Sequence, residues 1–490
     1  MMNPVAMPPQ LSHSPSLGQR AILKKQAIRE QFDRLASERE SWQRRASYYY
    51  NDQRRYLRFL IPEGLKVLEI GCGLGDQLAA LKPRRGLGID LSEAMVKEAS
   101  MRHPELEFRV GDGEALALNE TFDAILLVDL VGHVLDLEAM LKQLRRCCTP
   151  ATRIIIAYYN FLWEPFLGLL ERVGLKMPQE EQNWLSPADI RNLLRLADYE
   201  VVKAERRLLM PTSIPILSTI VNRVLTYLPG LNHLCLCHYM VVRMRTAFVQ
   251  EPRTMSVVIP CRNEKGNIEA AIARLPSFGR HQEVIFVDGH STDGTPDEIR
   301  RVITQYPEKD IKFLVQDGKG KGDAVRKGFA HATGDILMIL DADLTMPPED
   351  LPKFYDAIAS GKGEFINGSR LVYPMEHEAM RYLNLLGNKF FSMAFSWLLG
   401  ERIKDTLCGT KVLFRSDYER IAANRSYFGD FDPFGDFDLL FGASKLNLKI
   451  LEVPIRYQER TYGTTNIHRF SHGWLLLKMT VYGFFRLKAV

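Results

Sequence analysis

Two series of short apolar strands, separated by amphipathic helical stretches, constrain the fold of this chain more than any other feature. The first series is VLEI, GLGID, EFRVGD, FDAILLVDL and RIIIAYY, between residues 67 and 159. The second is SVVIP, EVIFVDG, IKFLVQD, DILMILDAD and EFINGS, between residues 256 and 369. This spacing is typical of βαβ units, which build mostly parallel sheets covered by helices on both faces. The sequence therefore predicts an α/β protein with two domains.

The chain length and the local composition suggest where these domains lie. A chain of 490 residues is long enough for two large domains. Residues 1–18 contain four prolines and no continuous apolar stretch, so we expect a disordered tail and not a secretory signal. We divide the remainder into domains at 19–249 and 250–490, because the segment QEPRT (250–254) reads as a linker.

The overall composition excludes several classes of protein. Hydrophobic residues make up 46% of the chain and charged residues 25%, which is ordinary for globular domains and excludes wholesale disorder. The net charge of +5 is too small for us to expect nucleic-acid binding. The seven cysteines show neither a disulfide framework nor a zinc pattern, so we expect a cytoplasmic location. No uncharged apolar run reaches the roughly 20 residues that span a bilayer.

A glycine-rich turn follows the first strand in KVLEIGCGLGD. Gly71, Gly73 and Gly75 allow the backbone to approach a ligand closely, and the spacing is GxGxG instead of the GxGxxG of dinucleotide sites. Asp90 ends the next strand, where a carboxylate can accept hydrogen bonds from ribose hydroxyls. Asp112 ends the third strand and is well placed for the amino group of an adenine.

The strand, the glycines, Asp90 and the segment GDGEA occur in the order found in class I S-adenosylmethionine-dependent methyltransferases, which this part of the chain resembles. The resemblance implies a seven-stranded Rossmann-like sheet that binds S-adenosylmethionine at its strand ends. It places Glu69 and Gly71 at the amino-acid end of the cofactor, Asp90 at the ribose, and Asp112 with Gly113 at the adenine.

The catalytic group and the methyl acceptor of this domain are less sharply indicated. His133 follows the fourth strand and is a candidate general base, although an ordinary loop or capping histidine is the alternative. Asp129 either takes part in catalysis or simply ends the strand. The segment 160–190, with Trp163 and Trp184, either covers the acceptor side of the site or belongs to the core.

The second series of strands carries a different set of polar residues. Asp288 ends the strand EVIFVDG, where it can bind the base or ribose of a nucleotide. Lys319 and Lys321 stand among glycines and can face phosphate oxygens. Asp341 and Asp343 follow DILMIL at i and i+2, so both carboxylates can turn toward one Mg²⁺ or Mn²⁺ ion. Such an ion neutralises charge on a departing nucleoside diphosphate.

These residues belong to a longer set of motifs that resembles the family 2 glycosyltransferases of GT-A fold. Within that family the resemblance is to the dolichyl- or polyprenyl-phosphate sugar transferases. The motifs are, in order, PCRNE, VDGHSTDGT, GKGDAVRKGF, DADLTMPPED, NGSR, DTLCGTKVLFR and EVPIRYQER. The resemblance implies a nucleotide-diphospho-sugar transferase fold and an inverting, metal-dependent transfer.

The resemblance also assigns roles to individual residues of this domain. The nucleotide would be held by Pro260, by Arg262 or Glu264, and by Asp288. The metal and diphosphate would be held by Asp341 and Asp343. Arg370 would meet the phosphate or sugar, Asp405 would lie near the sugar or acceptor, and Arg460 would clamp phosphates together with His468 and Arg469.

The sequence leaves two classes of sugar acceptor open, a lipid phosphate and a glycan hydroxyl. A phosphate monoester is already anionic at pH 7 and needs no general base, whereas a sugar hydroxyl does. Asp436 and Asp438 lie about where family members with other acceptors place a base, so they leave both classes open. Gly289 replaces an acidic residue of the common VDDGS pattern, which leaves the nucleotide open. The absence of a QxxRW motif favours transfer of one sugar per acceptor.

Two apolar stretches, 380–400 and 473–490, combine leucine and aromatic residues with lysine and arginine. Such stretches either lie in a membrane interface or form ordinary amphipathic helices. We therefore expect a bifunctional enzyme that is cytoplasmic, with peripheral contact at the inner face of the membrane. Its partners are expected to be a nucleotide sugar and a polyprenyl-phosphate or glycan acceptor. The alternative is an active glycosyltransferase with a regulatory methyltransferase-like domain.

Overall fold

The computed structural model describes residues 17–178, 182–228, 230–245, 252–370, 382–401, 403–427, 435–458, 460, 462 and 469–488. Most of the predicted tail, part of the predicted linker at 250–254, and His468 lie outside these residues. The chain forms two compact units. The first comprises Met1–Ala197, Leu208–Ile214 and Leu234–His238, and the second comprises Asp198–Arg207, Pro215–His233 and Tyr239–Val490. The domain boundary at 249–250 stays a prediction.

The first sheet has seven strands, as predicted from the first series. Its strands are β1 (Lys66–Ile70), β2 (Arg85–Asp90), β3 (Glu107–Val110), β4 (Phe122–Val128), β5 (Cys148–Tyr159), β6 (Tyr199–Arg207) and β7 (Cys237–Met244). Their order is β3-β2-β1-β4-β5-β7-β6, and the strands from β3 to β5 are parallel to their neighbours. Every residue of β4 except Asp123 is buried, as expected of a parallel strand that is covered on both faces.

The second sheet also has seven strands. They are β8 (Thr254–Cys261), β9 (His281–Asp288), β10 (Asp310–Val315), β11 (Ile336–Ile339), β12 (Phe365–Ser369), β13 (Lys411–Phe414) and β14 (Ile450–Pro454). Their order is β10-β9-β8-β11-β13-β12-β14. The strands β10, β9, β8 and β11 are parallel, whereas β13 is antiparallel to both of its neighbours.

The helices follow the strand ends in alternation, as the sequence pattern predicts. Those up to β8 are α1 (Leu17–Arg45), α2 (Ser47–Leu60), α3 (Asp76–Ala80), α4 (Glu93–Arg102), α5 (Leu137–Leu144), α6 (Glu164–Arg172), α7 (Pro187–Leu196) and α8 (Leu217–Arg223). The later ones are α9 (Ile268–Ala273), α10 (Thr295–Gln305), α11 (Lys321–His331), α12 (Leu351–Ala359), α13 (Tyr382–Leu399), α14 (Arg415–Ala423), α15 (Asp436–Lys445) and α16 (Arg469–Leu487). Within the part of the chain that the structure describes, none of the helices combines the length and apolar character of a membrane span.

Local sequence chemistry explains several of these helix starts. The side chain of Ser92 accepts a hydrogen bond from the amide of Met95 at 3.1 Å and so caps α4. Ser186 and Asp189 form a reciprocal capping box at the start of α7. Gly294 precedes α10 with φ of 85°, a conformation that glycine adopts without strain.

The strand order of each sheet determines where a ligand can bind. In the first sheet β2 and β3 lie on one side of β1 and β4 and β5 on the other, so the chain reverses its direction of winding at β1 and β4. In the second sheet the same reversal occurs at β8 and β11. Open α/β sheets bind ligands beyond the carboxyl ends of the strands at such a switch point. The predicted site residues follow these strands in both sheets.

Candidate active sites

A glycine loop follows β1 at the switch point of the first sheet. Gly71, Gly73 and Gly75 have φ angles of 72°, 51° and 76°, in the left-handed region that favours glycine. The amide of Gly73 donates to Asp90 Oδ2 at 2.8 Å, and the amide of Ser92 donates to Asp90 Oδ1 at 2.9 Å. Each Asp90 oxygen keeps a second lone pair. The carboxylate can therefore still accept hydrogen bonds from a ligand that lies against the loop.

Two buried carboxylates flank this loop. Glu69 is 2% exposed, and one of its oxygens accepts from the amide of Leu78 at 3.1 Å. Burial raises the pKa of Glu69 well above its ordinary value. Burial also raises the pKa of Asp90, although the two amide hydrogen bonds partly offset it. Because desolvation penalises both carboxylates, the site favours a ligand with positively charged groups.

Asp112, which was predicted to meet an adenine, is paired with a lysine from α1. Lys25 Nζ lies 2.6 Å from Asp112 Oδ2 and 2.9 Å from Glu114 Oε2. The other oxygen of Asp112 accepts from the amide of Glu114 at 2.9 Å and caps the turn that begins at Gly113. Burial opposes the charge of Lys25, but the hydrogen bonds to both carboxylates outweigh it and raise the pKa of the lysine. The helix α1 therefore contributes a charged side chain at this end of the site.

Asp129 and His133 follow β4 and line the same cavity. Tyr49 Oη donates to the two oxygens of Asp129 at 2.9 and 2.8 Å, and Gln53 Nε2 donates at 3.2 Å. Asp129 has φ of 51°, a conformation that costs energy outside glycine and is concentrated at functional sites. Burial raises the pKa of Asp129. Burial, followed by two neighbouring positive charges, lowers the pKa of His133 to about 4, so the imidazole is neutral at pH 7 and only weakly basic.

Most of these residues line one open cavity of about 1250 Å³, a volume that includes its mouth, whereas Gly75 and Tyr49 are not part of the lining. The cavity opens to solvent, so a ligand can enter it from outside. Predicted residues in its lining are Glu69, Gly71, Gly73, Asp90, Asp112, Gly113, Asp129 and His133. Residues from α1 and α2 line it as well, whereas none of the described residues of the segment 160–190 does.

The acidic pair of the second sheet follows β11, and both of its members are held by cations. Lys321 Nζ lies 2.6 Å from Asp341 Oδ1. Arg460 Nη2 lies 2.7 Å from Asp343 Oδ2, and Nη1 of the same arginine lies 3.1 Å from Glu264 Oε1. Burial opposes ionisation of Asp341, but the charge of Lys321 outweighs it and lowers the pKa of the carboxyl. Five predicted residues thus form two adjacent ion-paired groups.

Asp288, at the end of β9, has an oxygen that is free to accept. The residue is 2% exposed, and its Oδ2 accepts from the amide of Ser291 at 3.1 Å. Its Oδ1 is buried and has no hydrogen-bond partner among the residues described. Three residues near these strand ends, Asn263, His290 and Leu344, have φ angles of 57°, 58° and 53°. Such strain outside glycine is typical of binding sites, where the surrounding structure maintains it.

Asp405 and Arg370 form a buried bidentate ion pair. Arg370 Nε donates to Asp405 Oδ2 at 2.7 Å, and Nη2 donates to Oδ1 at 2.8 Å. The amides of Arg370 and Leu407 also donate to this carboxylate, at 3.0 and 3.1 Å. Burial opposes ionisation of Asp405, but the charge of Arg370 outweighs it and lowers the pKa of the carboxyl. In this geometry the side chains of Arg370 and Asp405 bind each other.

The region around α15 holds the two further aspartates. Asp438 is 8% exposed, and its Oδ2 accepts from Arg425 Nε at 2.8 Å. Gly435 precedes α15 with φ of 72°, and a Cβ at this position would lie 2.7 Å from the Cα of Gly322. The start of α15 therefore lies directly against the start of α11. The side chain of Asp436 is outside the described part of the chain, so its position stays a prediction.

Family comparisons divide the chain in the same way. Residues 42–204 match the family described as Methyltransferase domain, and residues 256–422 match Glycosyl transferase family 2. The chain carries a methyltransferase domain and a family 2 glycosyltransferase domain. The predicted resemblances and the fold class, with two seven-stranded α/β sheets, are confirmed.

Two curated relatives are named as sugar transferases. A dolichol-phosphate mannosyltransferase from Pyrococcus furiosus is 31% identical over 220 residues, which cover 44% of this chain and 59% of the relative. An undecaprenyl-phosphate 4-deoxy-4-formamido-L-arabinose transferase from Edwardsiella ictaluri is 32% identical over 215 residues, covering 43% and 61%. The chain thus spans about three fifths of the length of these relatives.

A solved S-adenosylmethionine-dependent methyltransferase from Thermotoga maritima aligns with the chain at 21% identity and a TM-score of 0.35. The alignment covers 45% of this chain and all of that one.

The remaining nucleotide-binding predictions of the glycosyltransferase domain fall at one strand end. Pro260 lies next to the last residue of β8, and Arg262 follows with an exposed side chain. A Cβ on Gly289 would lie 3.3 Å from the Cβ of Arg262, so the ends of β8 and β9 are close together. The side chain of Arg469, at the start of α16, is not among those described.

The donor atoms of Asp341 and Asp343 determine whether this acidic pair can hold a divalent cation. Within the described ranges no cluster of three or more His, Cys, Asp or Glu side chains is arranged to hold a metal ion. Asp341 and Asp343 supply carboxylate oxygens, and the Thr345 hydroxyl lies beside them, donating to Asp343 Oδ1 at 2.8 Å. Hard oxygen donors suit Mg²⁺ and Mn²⁺, which keep further positions for substrate phosphates and water. The residues therefore fit such an ion when a diphosphate completes its shell.

The sequence reasoning missed the contribution of the N-terminal helices to the methyltransferase site. Lys25, Arg39, Tyr49 and Gln53 all belong to α1 or α2, and each lines the cavity or bonds to a residue that does. The segment 19–60 is charged and aromatic with helical spacing, which predicts helices and no site residue. A signal existed in the aromatic cluster SYYY, but nothing in the sequence says which helix face meets the sheet.

Proposed function

We propose that this chain is a bifunctional enzyme. Its second domain would transfer a sugar, with inversion, from a nucleotide sugar to a polyprenyl-phosphate or glycan acceptor. Its first domain would transfer a methyl group from S-adenosylmethionine. The observation that carries the proposal is the acidic pair Asp341–Asp343 with its two ion-paired cations, which lies beyond a switch point of the sheet. The division at 249–250 is part of the proposal.

The charges of this cluster suit a nucleoside diphosphate. Lys321 and Arg460 now neutralise Asp341 and Asp343, and a diphosphate offers both cations alternative oxygen acceptors. The two aspartates would then be released to hold Mg²⁺ or Mn²⁺, which neutralises charge on the departing diphosphate when bound. Asp288 Oδ1 has a free lone pair for an N–H of the base. Uracil and guanine both present such an N–H, so the nucleotide stays open.

A phosphate acceptor is favoured over a hydroxyl acceptor. The two curated relatives are named for dolichol-phosphate and undecaprenyl-phosphate. An anionic phosphate oxygen can form the bond to the anomeric carbon as the bond to the diphosphate breaks, and no base has to remove a proton. Asp438 already accepts a hydrogen bond from Arg425, which makes it a weaker candidate for the general base. A glycan acceptor remains the alternative and would require a base such as Asp436.

Peripheral membrane contact would bring such a lipid within reach. α13 and α16 contain no acidic residue, and several large apolar side chains on them are more than half exposed. These are Phe390, Met393, Trp474, Val481 and Phe485. Helices with exposed apolar residues and basic residues bind anionic membrane interfaces. We therefore propose contact with the inner face of the membrane.

The experiment that tests the sugar transfer measures donor turnover. Purified full-length protein would be incubated with a panel of nucleotide sugars, Mn²⁺ or Mg²⁺, and either polyprenyl phosphate or no acceptor. We expect nucleoside diphosphate release that depends on polyprenyl phosphate and is abolished in Asp343→Ala. Release only with a glycan acceptor would shift the proposal to hydroxyl transfer. No release with any donor would refute it.

The methyltransferase half is supported by the cavity at the glycine loop. Its buried carboxylates fit the sulfonium and ammonium groups of S-adenosylmethionine, and the positive φ angles fit close backbone approach. Glu69 with Gly71 would hold the amino-acid end, Asp90 the ribose, and Asp112 with Gly113 the adenine. Calorimetric titration with S-adenosylmethionine tests this. Micromolar binding together with methyl transfer supports it, whereas binding without transfer to any lipid- or glycan-linked product would favour the regulatory alternative.

A further inference from the structure

One cation in the methyltransferase cavity, Arg39, forms no ion pair with any residue that the structure describes, although its charge is felt by Asp90 and Asp129. Arg39 lies on α1 and lines the cavity. Its Nε is buried without a hydrogen-bond partner, and its Nη1 contacts only the sulfur of Met177, at 3.6 Å. Its guanidinium also lies over the ring of Phe32, with 5.9 Å to the centroid. Among the residues that the structure describes, no carboxylate forms an ion pair with it.

The charges around the cavity are strongly one-sided. Carboxylates in the lining outnumber the lysine and arginine side chains six to two. The carboxylates are Glu69, Asp76, Asp90, Asp112, Glu114 and Asp129, and the cations are Lys25 and Arg39. Lys25 is already engaged by Asp112 and Glu114. Among the described residues of the lining, the cation that is left for a ligand anion is therefore Arg39.

The imidazole in the cavity does not compete for that role. Burial, followed by the charges of Arg39 and Lys176, lowers the pKa of His133 to about 4, so it carries no charge at pH 7. Lys176 is itself paired with Glu171. A ligand with two positive groups and one carboxylate would thus find many partners for its cationic groups and one for its anionic group.

We propose that Arg39 binds the carboxylate of the methionine moiety of S-adenosylmethionine. This inference rests on the proposed methyltransferase function. The guanidinium fork matches a carboxylate with two parallel hydrogen bonds, and the buried Nε of Arg39, which has no partner among the described residues, is one of the donors that such a pair requires. Its placement on α1 means that cofactor binding would fix this helix over the cavity.

The test compares two ligands that differ in that carboxylate alone. Full-length protein would be titrated calorimetrically with S-adenosylmethionine and with decarboxylated S-adenosylmethionine. The variants are Arg39→Met, Arg39→Lys and the control Arg34→Met, which removes an exposed arginine from the same helix. We expect Arg39→Met to weaken S-adenosylmethionine binding about 10- to 150-fold, the range for hydrogen bonds to charged groups, and to leave the decarboxylated ligand unchanged. The affinity of Arg39→Lys for S-adenosylmethionine should lie between those of the wild type and Arg39→Met, and the affinity of Arg34→Met should match that of the wild type.

Each other outcome has a definite meaning. Equal weakening of both ligands by Arg39→Met would assign a structural role and overturn the proposal. Unchanged binding of both ligands would also overturn it, and would leave an anionic group of the methyl acceptor as the partner of Arg39. Failure of the wild type to bind either ligand would refute the methyltransferase function itself, and this inference with it.

Discussion

The pair Asp405–Arg370 allows a quantitative test of what burial does to an ion pair. Asp405 is 1% exposed, and its carboxylate accepts two hydrogen bonds from the guanidinium and two from backbone amides. Asp405→Ala would leave the Arg370 charge, with a side chain 12% exposed, without its partner. Breaking a buried pair from one side costs about 3–5 kcal/mol of folding free energy. At about 2–4 °C per kcal/mol for a domain of this size, the midpoint of its unfolding should fall by roughly 6–20 °C.

The chain supplies a matched control on its surface. Arg274 binds Glu349 through the same fork, with Nε–Oε1 at 2.8 Å and Nη2–Oε2 at 3.0 Å. The side chains of that pair are 37% and 50% exposed. Exposed pairs contribute about 0–1 kcal/mol, so Glu349→Ala should move the midpoint by no more than about 4 °C.

Scanning calorimetry of the full-length variants measures both effects. The double variant Asp405→Leu with Arg370→Met should recover most of the lost stability, because removal of both charges leaves neither uncompensated. The pKa of Asp405 is lowered, since Arg370 outweighs burial. The stabilisation is therefore present above the ordinary aspartate pKa and lost as pH falls through the lower folded value. Equal costs for Asp405→Ala and Glu349→Ala would refute the reasoning.

Three further predictions follow from individual residues. The pKa of His133 is about 4 in the folded protein and 6.5 in the unfolded chain, so the unfolded chain binds the extra proton first as the pH falls. The wild type should therefore lose about 3 kcal/mol of folding stability between pH 6.5 and pH 4, and His133→Gln should not show this loss. Urea titration at several pH values measures the difference, and parallel pH profiles of the two proteins would contradict the prediction. Gly409→Ala should abolish donor turnover, because the added Cβ would lie within 3.0 Å of both Asp341 and Lys321; wild-type turnover would show that the cluster can shift. Asp288→Asn should raise the KM for the donor about tenfold or more, because an N–H of the base would lose its charged acceptor, and an unchanged KM would exclude that contact.

The sequence alone predicted the parts of this fold that are encoded locally. The strands that are buried on both faces are continuous apolar runs, so β1, β4, β8, β9 and β11 appear where the pattern indicates them. The site residues that follow these strands were found for the same reason, since a strand end is visible in the sequence.

Interactions between distant segments could not be predicted in this way. The edge strand β6 was missed because its sequence YEVVKAERR is rich in charge. Lys203 is nonetheless 3% exposed, and Glu205, 8% exposed, is paired with Lys488, some 280 residues later. Likewise, the family resemblance places Asp405 near the sugar or acceptor and Arg370 at the phosphate or sugar, but the sequence gives no sign that each is bonded to the other.

The tight approach of Gly409 to the acidic pair gives a criterion for reading other sequences. In this chain the space beside Asp341 and Lys321 exists only because position 409 has no side chain. A relative that keeps both aspartates but carries a larger residue at that position cannot build the same lysine–aspartate geometry. Its acidic motif would look intact in an alignment and yet belong to a differently arranged site. The glycine of DTLCGT is therefore as informative for annotating such proteins as the aspartates themselves.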